Sequence, residues 1–151
     1  KTEFRLLNCG YVFQDYALLP ELTTLENVAL PLLMQKMDFK KAYTKAEEAL
    51  QKIELGHRLK NVPSQLSGGE QQRASIARAI ANHPKILFAD EPTANLDNES
   101  SKIVMEFFLK LHKEGQTIIM VTHEEQYAKL AEKIVKIDDG KIISIVDNRD
   151  R

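Results

Sequence analysis

Two short apolar runs that flank one amphipathic segment constrain the fold of this chain more than any other feature. The first run covers residues 85–89, and the second covers residues 117–122. Between them, Asn98 begins a segment whose apolar residues fall on one helical face, and Gly115 is placed to end it. A strand, a helix and a second strand in this order are typical of an α/β sheet. We expect residues 117–122 to form a buried strand of that sheet.

The first half of the chain is mostly helical in pattern. Thr23 and Glu26 have the spacing of a capping box, so a helix is predicted to begin there, and Pro31 is expected to kink or end it. Asp38 is a suitable N-cap for a second helix over residues 39–55. These helices precede the strand–helix–strand pattern and are expected to form a separate helical region.

Three further strands are predicted outside that pattern. Residues 9–13 form a strand-like run near the start of the chain. Residues 133–137 and 141–146 flank Asp139 and Gly140, a dipeptide typical of a two-residue hairpin turn. We expect the last two strands to join the same sheet as the earlier runs.

The composition fits a globular protein and argues against some functions. Hydrophobic residues make up 43% of the chain, and 21 basic residues nearly balance 22 acidic ones, for a formal net charge of −1. A nucleic-acid partner is not expected, because such proteins carry a basic excess or stripe. No apolar run has the length of a membrane span, so a role at a membrane would require a partner. The single cysteine, Cys9, cannot form an internal disulfide, and a cytoplasmic setting is expected.

The string at residues 66–73 is the strongest local signal. Ser67 is placed to cap a helix that runs to about residue 82, and Glu70 stands at the capping-box position. Gly68 and Gly69 leave the first backbone N–H groups of the helix open to an anionic ligand. An ordinary capping box that tolerates two glycines is the alternative, although glycine is unfavourable in a helix.

Polar residues follow each of the predicted core strands. Asp90 and Glu91 come directly after one apolar run, His123 follows another, and Gln14 follows residues 9–13. Carboxylates at the carboxyl edge of an α/β sheet lie where such proteins bind ligands. Asp97 could equally be the cap of the helix that begins nearby. Taken singly, each of these residues has an ordinary structural explanation, such as a charged turn or an exposed histidine.

In their order and approximate spacing, these features resemble the motifs of ABC ATPases over nearly the whole chain. Five segments carry the resemblance. Residues 12–14 resemble the Q-loop, residues 66–73 the signature motif, residues 86–91 Walker B, residues 92–97 the D-loop, and residues 122–123 the H-loop.

The resemblance implies an α/β fold, with a P-loop NTPase (RecA-like) ABC ATPase core that is truncated and carries an inserted α-helical signature subdomain. It divides the chain into a strand and Q-loop at residues 1–18, a helical subdomain at residues 19–83, and the C-terminal part of the core at residues 84–147.

The resemblance also implies ATP and Mg²⁺ as cofactors and assigns roles to individual residues. Glu91 and His123 are implied to be catalytic, with Glu91 orienting or deprotonating the attacking water. Asp90 and Gln14 are implied to serve the metal. The implied nucleotide-binding residues are Gln14, Ser67, Gly68, Gly69, Glu70 and Asp97.

The partners implied by the resemblance are a second ATPase subunit, in an expected homodimer, and a membrane permease subunit or domain. The protein would then lie on the inner face of the cell membrane, held there by the permease. Residues 13–33 look most like the bacterial branch that exports macrolides, peptides or bacteriocins or releases lipoproteins. Two alternatives remain: an ABC ATPase of cell division, translation or repair, and a truncated subunit that binds partners without turnover.

One motif of the family does not occur in these 151 residues. The P-loop sequence G-x-x-x-x-G-K-S/T is absent, since Gly140 alone is followed by lysine and Ile142 stands where serine or threonine is required. In the family this motif precedes the Q-loop, and 13 residues precede Gln14. We therefore expect a C-terminal fragment, which alone neither binds nor hydrolyses ATP as the family does.

Overall fold

The computed structural model describes residues 2–149, which fall into two compact units. The first unit ends at Val121 and the second begins at Thr122. The helices and strands of the first unit, in chain order, are α1 (Thr2–Asn8), β1 (Cys9–Val12), α2 (Thr24–Met34), α3 (Phe39–Lys52), a 3₁₀ turn (Pro63–Gln65), α4 (Gly68–Ile80), β2 (Ile86–Asp90), α5 (Asn98–Lys113) and β3 (Thr117–Val121). Those of the second are α6 (Glu125–Ala128), β4 (Lys133–Asp138) and β5 (Lys141–Asp147).

A three-stranded parallel sheet organises the first unit. The strand order is β1-β2-β3, with Val12 opposite Ala89 and Asp90 opposite Val121. Helix α4 packs against β1 and against α5, which also contacts β3. The predicted α/β fold is confirmed, and the carboxyl ends of all three strands lie at one edge.

The two faces of this sheet differ in exposure. On the face that α4 covers, Val12, Leu87 and Ala89 are buried. On the other face, Tyr11 stacks on Phe88 with a ring-centroid separation of 5.2 Å, and Tyr11 is exposed. The exposed face is therefore largely apolar.

The prediction that residues 117–122 form a buried strand is wrong in part. The strand forms over Thr117–Val121, but Ile119 and Val121 are exposed, with 47% and 58% of their surface accessible. Because side chains alternate along a strand, the helices cover only every second residue of β3.

The last two strands do not join the parallel sheet, contrary to expectation. Strands β4 and β5 form a separate two-stranded antiparallel sheet. The hairpin itself is confirmed, with Asp139 and Gly140 at φ 45° and 72°, as a type I′ turn requires. A two-residue turn brings the strands together locally, so their pairing needs no third strand.

The predicted helix starts are confirmed more closely than the ends. Thr23, Asp38 and Ser67 are the N-caps of α2, α3 and α4. Helix α2 continues three residues beyond Pro31 to Met34. Helix α3 ends at Lys52, before residue 55, because Glu54 adopts a left-handed φ of 62°.

We expect Gly10→Ala to destabilise the fold, because a Cβ atom there would lie 2.3 Å from the Ala79 carbonyl oxygen of α4. Neither backbone can move without disturbing the packing of β1 on α4. The free energy of unfolding should fall by about 1–3 kcal/mol in a urea titration. The control is Gly56→Ala, whose new Cβ would meet first the flexible Gln51 side chain. Equal stability of the two variants would contradict the described packing.

Candidate functional site

The carboxyl edge of the parallel sheet brings together three of the predicted site residues. Asp90 is the exposed last residue of β2, and Glu91 follows it directly. The backbone of Glu91 is left-handed, with φ 44°, and its N–H donates to the Val121 carbonyl oxygen at 2.9 Å. Gln14 lies two residues after β1 at the same edge and is exposed. Oxygen ligands of this kind suit a hard cation such as Mg²⁺.

Gln14 belongs to a short segment, residues 13–17, which we call the Gln14 loop. Its backbone is held by side chains from elsewhere in the first unit. The Asn95 side-chain amide donates to the Gln14 carbonyl oxygen at 3.0 Å, and the Tyr16 hydroxyl donates to the Asn95 carbonyl oxygen at 3.4 Å. The loop is therefore joined to the segment that follows Glu91.

Arg78 of α4 holds the end of the same loop. Its guanidinium donates to the carbonyl oxygens of Tyr16, at 3.0 Å, and of Ala17. Both of these acceptor residues have left-handed backbones, with φ 63° and 48°. Burial lowers the pKa of Arg78 below its ordinary value, and the nearby Asp15 carboxylate opposes that effect. The left-handed conformation of the loop is thus held by hydrogen bonds from a half-buried cation.

The Gln72 side chain of α4 connects the Gln14 loop to the turn after Glu91. It is completely buried, and its side-chain amide donates to the Pro92 carbonyl oxygen at 2.7 Å and to the Phe13 carbonyl oxygen at 3.4 Å. The helix that carries the signature string is therefore bonded both to the Gln14 loop and to the turn after Glu91.

The start of α4 is a complete capping box. The Ser67 N–H donates to Glu70 Oε2 at 2.9 Å, and the Glu70 N–H donates to Ser67 Oγ at 3.2 Å. Arg58 Nε donates to Glu70 Oε1 at 2.9 Å. Partial burial alone would raise the pKa of Glu70, but the hydrogen bonds from Ser67 and Arg58 outweigh it, and the pKa is lowered. Glu70 therefore stabilises the start of α4, in addition to its predicted role in nucleotide binding.

The two glycines of the string also have a packing role that the sequence did not reveal. A Cβ atom on Gly69 would lie 2.9 Å from the Ser100 Cβ of α5, and one on Gly68 would lie 3.0 Å from the Tyr16 hydroxyl. Glycine at position 69 thus permits the close approach of α4 and α5, whatever its role in ligand binding.

Asp97 is the N-cap of α5, so its structural role is established. Its carboxylate accepts from the Ser100 N–H and hydroxyl, both at 2.9 Å. The Ser100 backbone hydrogen bond is the largest cause of the lowered pKa of Asp97, followed by the Ser100 hydroxyl. Since Ser100 also lies against Gly69, this cap sits beside the start of α4.

His123 lies in the second unit and is exposed. The Thr122 hydroxyl accepts from the Glu124 N–H at 3.1 Å, which shapes the turn around it. The implied catalytic role of His123 stays a prediction.

The side chains that join the motifs could not be predicted from the sequence. Gln72 belongs to the signature string and Asn95 to residues 92–97, but membership of a motif does not reveal the hydrogen bonds that each side chain makes. Arg78 carried one usable signal, an arginine on a helix face otherwise formed by buried residues such as Ala74 and Ala77.

Within residues 2–149, no group of three or more histidine, cysteine, aspartate or glutamate side chains is arranged to hold a metal ion. A Mg²⁺ ion at Asp90 would therefore need further ligands from outside these side chains, and phosphate oxygens are suited to that role. None of the helices in this range combines the length and apolar character needed to cross a membrane.

Comparison with known proteins identifies the family. The model of the ABC transporter family matches residues 1–94. An uncharacterised ABC transporter ATP-binding protein of Methanocaldococcus jannaschii is 49% identical over 95% of this chain and 64% of its own length. The lipoprotein-releasing system ATP-binding protein LolD of Aquifex aeolicus is 49% identical over 89% of the chain and 60% of its own length.

Two further relatives extend the comparison. The macrolide export ATP-binding/permease protein MacB of Aggregatibacter actinomycetemcomitans is 47% identical over 98% of the chain and 23% of its own length. The ATP-binding cassette MJ0796, solved as a dimer in a post-hydrolysis state bound to ADP and Pi, superposes with a TM-score of 0.86. It is 39% identical, and the match covers 98% of this chain and 66% of that one.

The chain belongs to the ABC transporter family, and its fold is that of the ATP-binding cassette. It spans less than two thirds of the length of these relatives.

We expect Asp97→Ala to lower the melting temperature, whereas Asp97→Asn should retain it at neutral pH, because asparagine also caps helices. The lowered pKa of Asp97 means that its stabilising effect is complete above the ordinary aspartate pKa and is lost as the pH falls through the lowered value. The difference between the parent and Asp97→Ala should therefore shrink in acid. Thermal unfolding at neutral and acid pH measures this, with exposed Glu106→Ala as control. A pH-independent difference would contradict the assignment.

Proposed function

We propose that the whole protein is the ATP-hydrolysing subunit of an ABC transporter, acting as a homodimer that drives a membrane permease. The observation that carries the proposal is the joining of the motif segments. Side chains of Gln72 and Asn95 bond the Gln14 loop, the signature helix and the turn after Glu91 into one unit. A chance set of motif-like strings would have no reason to converge in this way.

The residues present fit Mg²⁺ and ATP in the roles proposed for them. Asp90 and Gln14, exposed at the same sheet edge, would hold Mg²⁺ together with the phosphates. When bound, Mg²⁺ neutralises charge that develops during phosphoryl transfer. Glu91, half-buried at the end of β2, would orient or deprotonate the attacking water.

The start of α4 would complete the site for nucleotide held by the other subunit. Ser67, Gly68, Gly69 and Glu70 form the first turn of this helix, where backbone N–H groups favour an anion. Asp97 would act at the dimer interface, and His123 would contact the terminal phosphate. The dimeric state of the solved cassette supports this arrangement.

The names of the relatives support a permease partner, which would hold the protein on the inner face of the membrane. LolD is named as part of a lipoprotein-releasing system and MacB as an ATP-binding/permease protein. We propose export or release of a substrate as the transport direction, and the division into residues 1–18, 19–83 and 84–147 as the domain organisation. The alternative to transport is that the whole protein is an ABC ATPase of cell division, translation or repair.

A polypeptide of only these 151 residues is proposed to bind partner subunits without binding or hydrolysing ATP as the family does. It contains no P-loop sequence, whose amides and lysine grip the phosphates in P-loop NTPases. The remaining groups near the site include the acids Asp90, Glu91 and Asp97, which repel a polyanion.

Titration calorimetry of the purified 151-residue chain with MgATP should accordingly detect no saturable micromolar binding. A phosphate-release assay on the same sample should show no steady turnover. Tight binding with turnover would contradict the proposal and show that another segment grips the phosphates.

In the whole protein, Glu91→Gln should retain ATP binding while slowing hydrolysis, because it removes the base and leaves Asp90 in place. Turnover should fall by roughly 100-fold or more, within the range for general-base catalysis. His123→Ala should likewise reduce turnover more than binding. The matched control is Glu106→Gln, an exposed acid on α5, which should behave as the parent. Near-normal turnover by Glu91→Gln would show that another residue acts on the water.

A further inference from the structure

The buried amide of Gln72 lies between the neighbours of two proposed site residues. One acceptor, the Pro92 carbonyl at 2.7 Å, belongs to the residue directly after Glu91. The other, the Phe13 carbonyl at 3.4 Å, belongs to the residue directly before Gln14. A single side chain therefore spans the two loops that carry the proposed water-activating and metal-binding residues.

We propose that Gln72 is a positioning residue for ATP hydrolysis, which fixes the distance between Glu91 and Gln14 without contacting the nucleotide. The inference rests on the proposed function. Helix α4 would then serve the reaction in two ways. Its first turn would bind nucleotide, and the Gln72 side chain would hold the reacting groups in position.

The chemistry of the amide explains why glutamine suits this position. Its NH₂ group offers two donors, and both of the described acceptors are backbone carbonyl oxygens. A carboxylate would place negative oxygen against those carbonyls, and asparagine is one methylene shorter. The Gln72 Oε1 atom is buried and makes no hydrogen bond within the part of the chain that the structure describes. Burying an unused acceptor is unfavourable, so the donors are what the position requires.

The location of Gln72 gives the contact a consequence for catalysis. Gln72 is completely buried on α4, so water cannot replace its donors without disrupting the packing. A shift of α4 would displace Pro92 and Phe13 together, and with them Glu91 and Gln14. Misplacement of reacting groups by about 1 Å can lower a rate by about 100-fold.

The test compares Gln72→Met with Gln51→Met in the whole protein. Methionine preserves the approximate volume of Gln72 but removes both donors. The control glutamine is exposed on α3, outside the site. We expect kcat to fall on the order of 10- to 100-fold in Gln72→Met, with the KM for ATP within about twofold of the parent. The Gln51→Met variant should match the parent in both constants.

A second comparison separates positioning from general stability. If Gln72 acts through Glu91 and its neighbours, its effect should largely disappear in a Glu91→Gln background, because coupled residues are not additive. Should Gln72→Met lose its cooperative unfolding transition, Gln72→Asn makes the same comparison with a smaller change. Its amide is too short to reach both carbonyls, so kcat should fall in the same way.

Three results would overturn the inference: an unchanged kcat, a loss of ATP affinity in proportion to the loss of kcat, or an undiminished effect in the Glu91→Gln background. Each of these leaves the proposed function standing, provided that the parent protein turns over ATP. A parent that shows no turnover would overturn the proposed function and this inference together.

Discussion

The backbone carbonyl groups of the Gln14 loop impose the constraint on which the site depends. Pairing of β1 with β2 ends at Val12 and Ala89, so the carbonyl groups beyond that point need other partners. A carbonyl group left unpaired where water cannot reach it is unfavourable by about 1–3 kcal/mol. Within the loop, the Tyr16 N–H donates to the Phe13 carbonyl and the Ala17 N–H to the Asp15 carbonyl. Side chains from three distant positions, Gln72, Arg78 and Asn95, supply the remaining donors. Segments far apart in the sequence are thereby bonded into one unit.

The same residues serve structure and proposed function at several points. Asp97 caps α5, and Ser67 with Glu70 caps α4, while all three are also proposed to serve the nucleotide. Ser100 links these two helix starts, because it donates to Asp97 and lies against Gly69. Substitutions of these capping residues will change stability and activity together. Variants that keep the cap, such as Asp97→Asn, are needed to separate the two effects.

Features set by local chemistry could be predicted from the sequence. The capping residues Thr23, Asp38 and Ser67 and the hairpin turn at Asp139 depend on neighbours within a few positions. Features set by tertiary contact could not. The end of α3 depends on the left-handed conformation of Glu54, which is not glycine and carries no sequence signal for it.

Side-chain exposure and long-range hydrogen bonds depend on the tertiary fold and carry no local sequence signal. An apolar strand such as Thr117–Val121 looks buried, but its alternate side chains are exposed in this sheet. The role of Gln72 was invisible for a similar reason, because its acceptors, Phe13 and Pro92, lie 59 and 20 positions away. The motif residues themselves could be named, since their order along the chain carries the resemblance.

A buried side-chain amide, that of Gln72, joins the Gln14 loop to the turn after Glu91. Hydrogen exchange of glutamine side-chain amides, measured by nuclear magnetic resonance on the folded protein, tests it most directly. We expect the Gln72 NH₂ protons to exchange much more slowly than those of exposed Gln51, because they are buried and bonded to Pro92 and Phe13. Exchange of the Gln72 protons as fast as that of the Gln51 protons would show that this amide does not join the two segments.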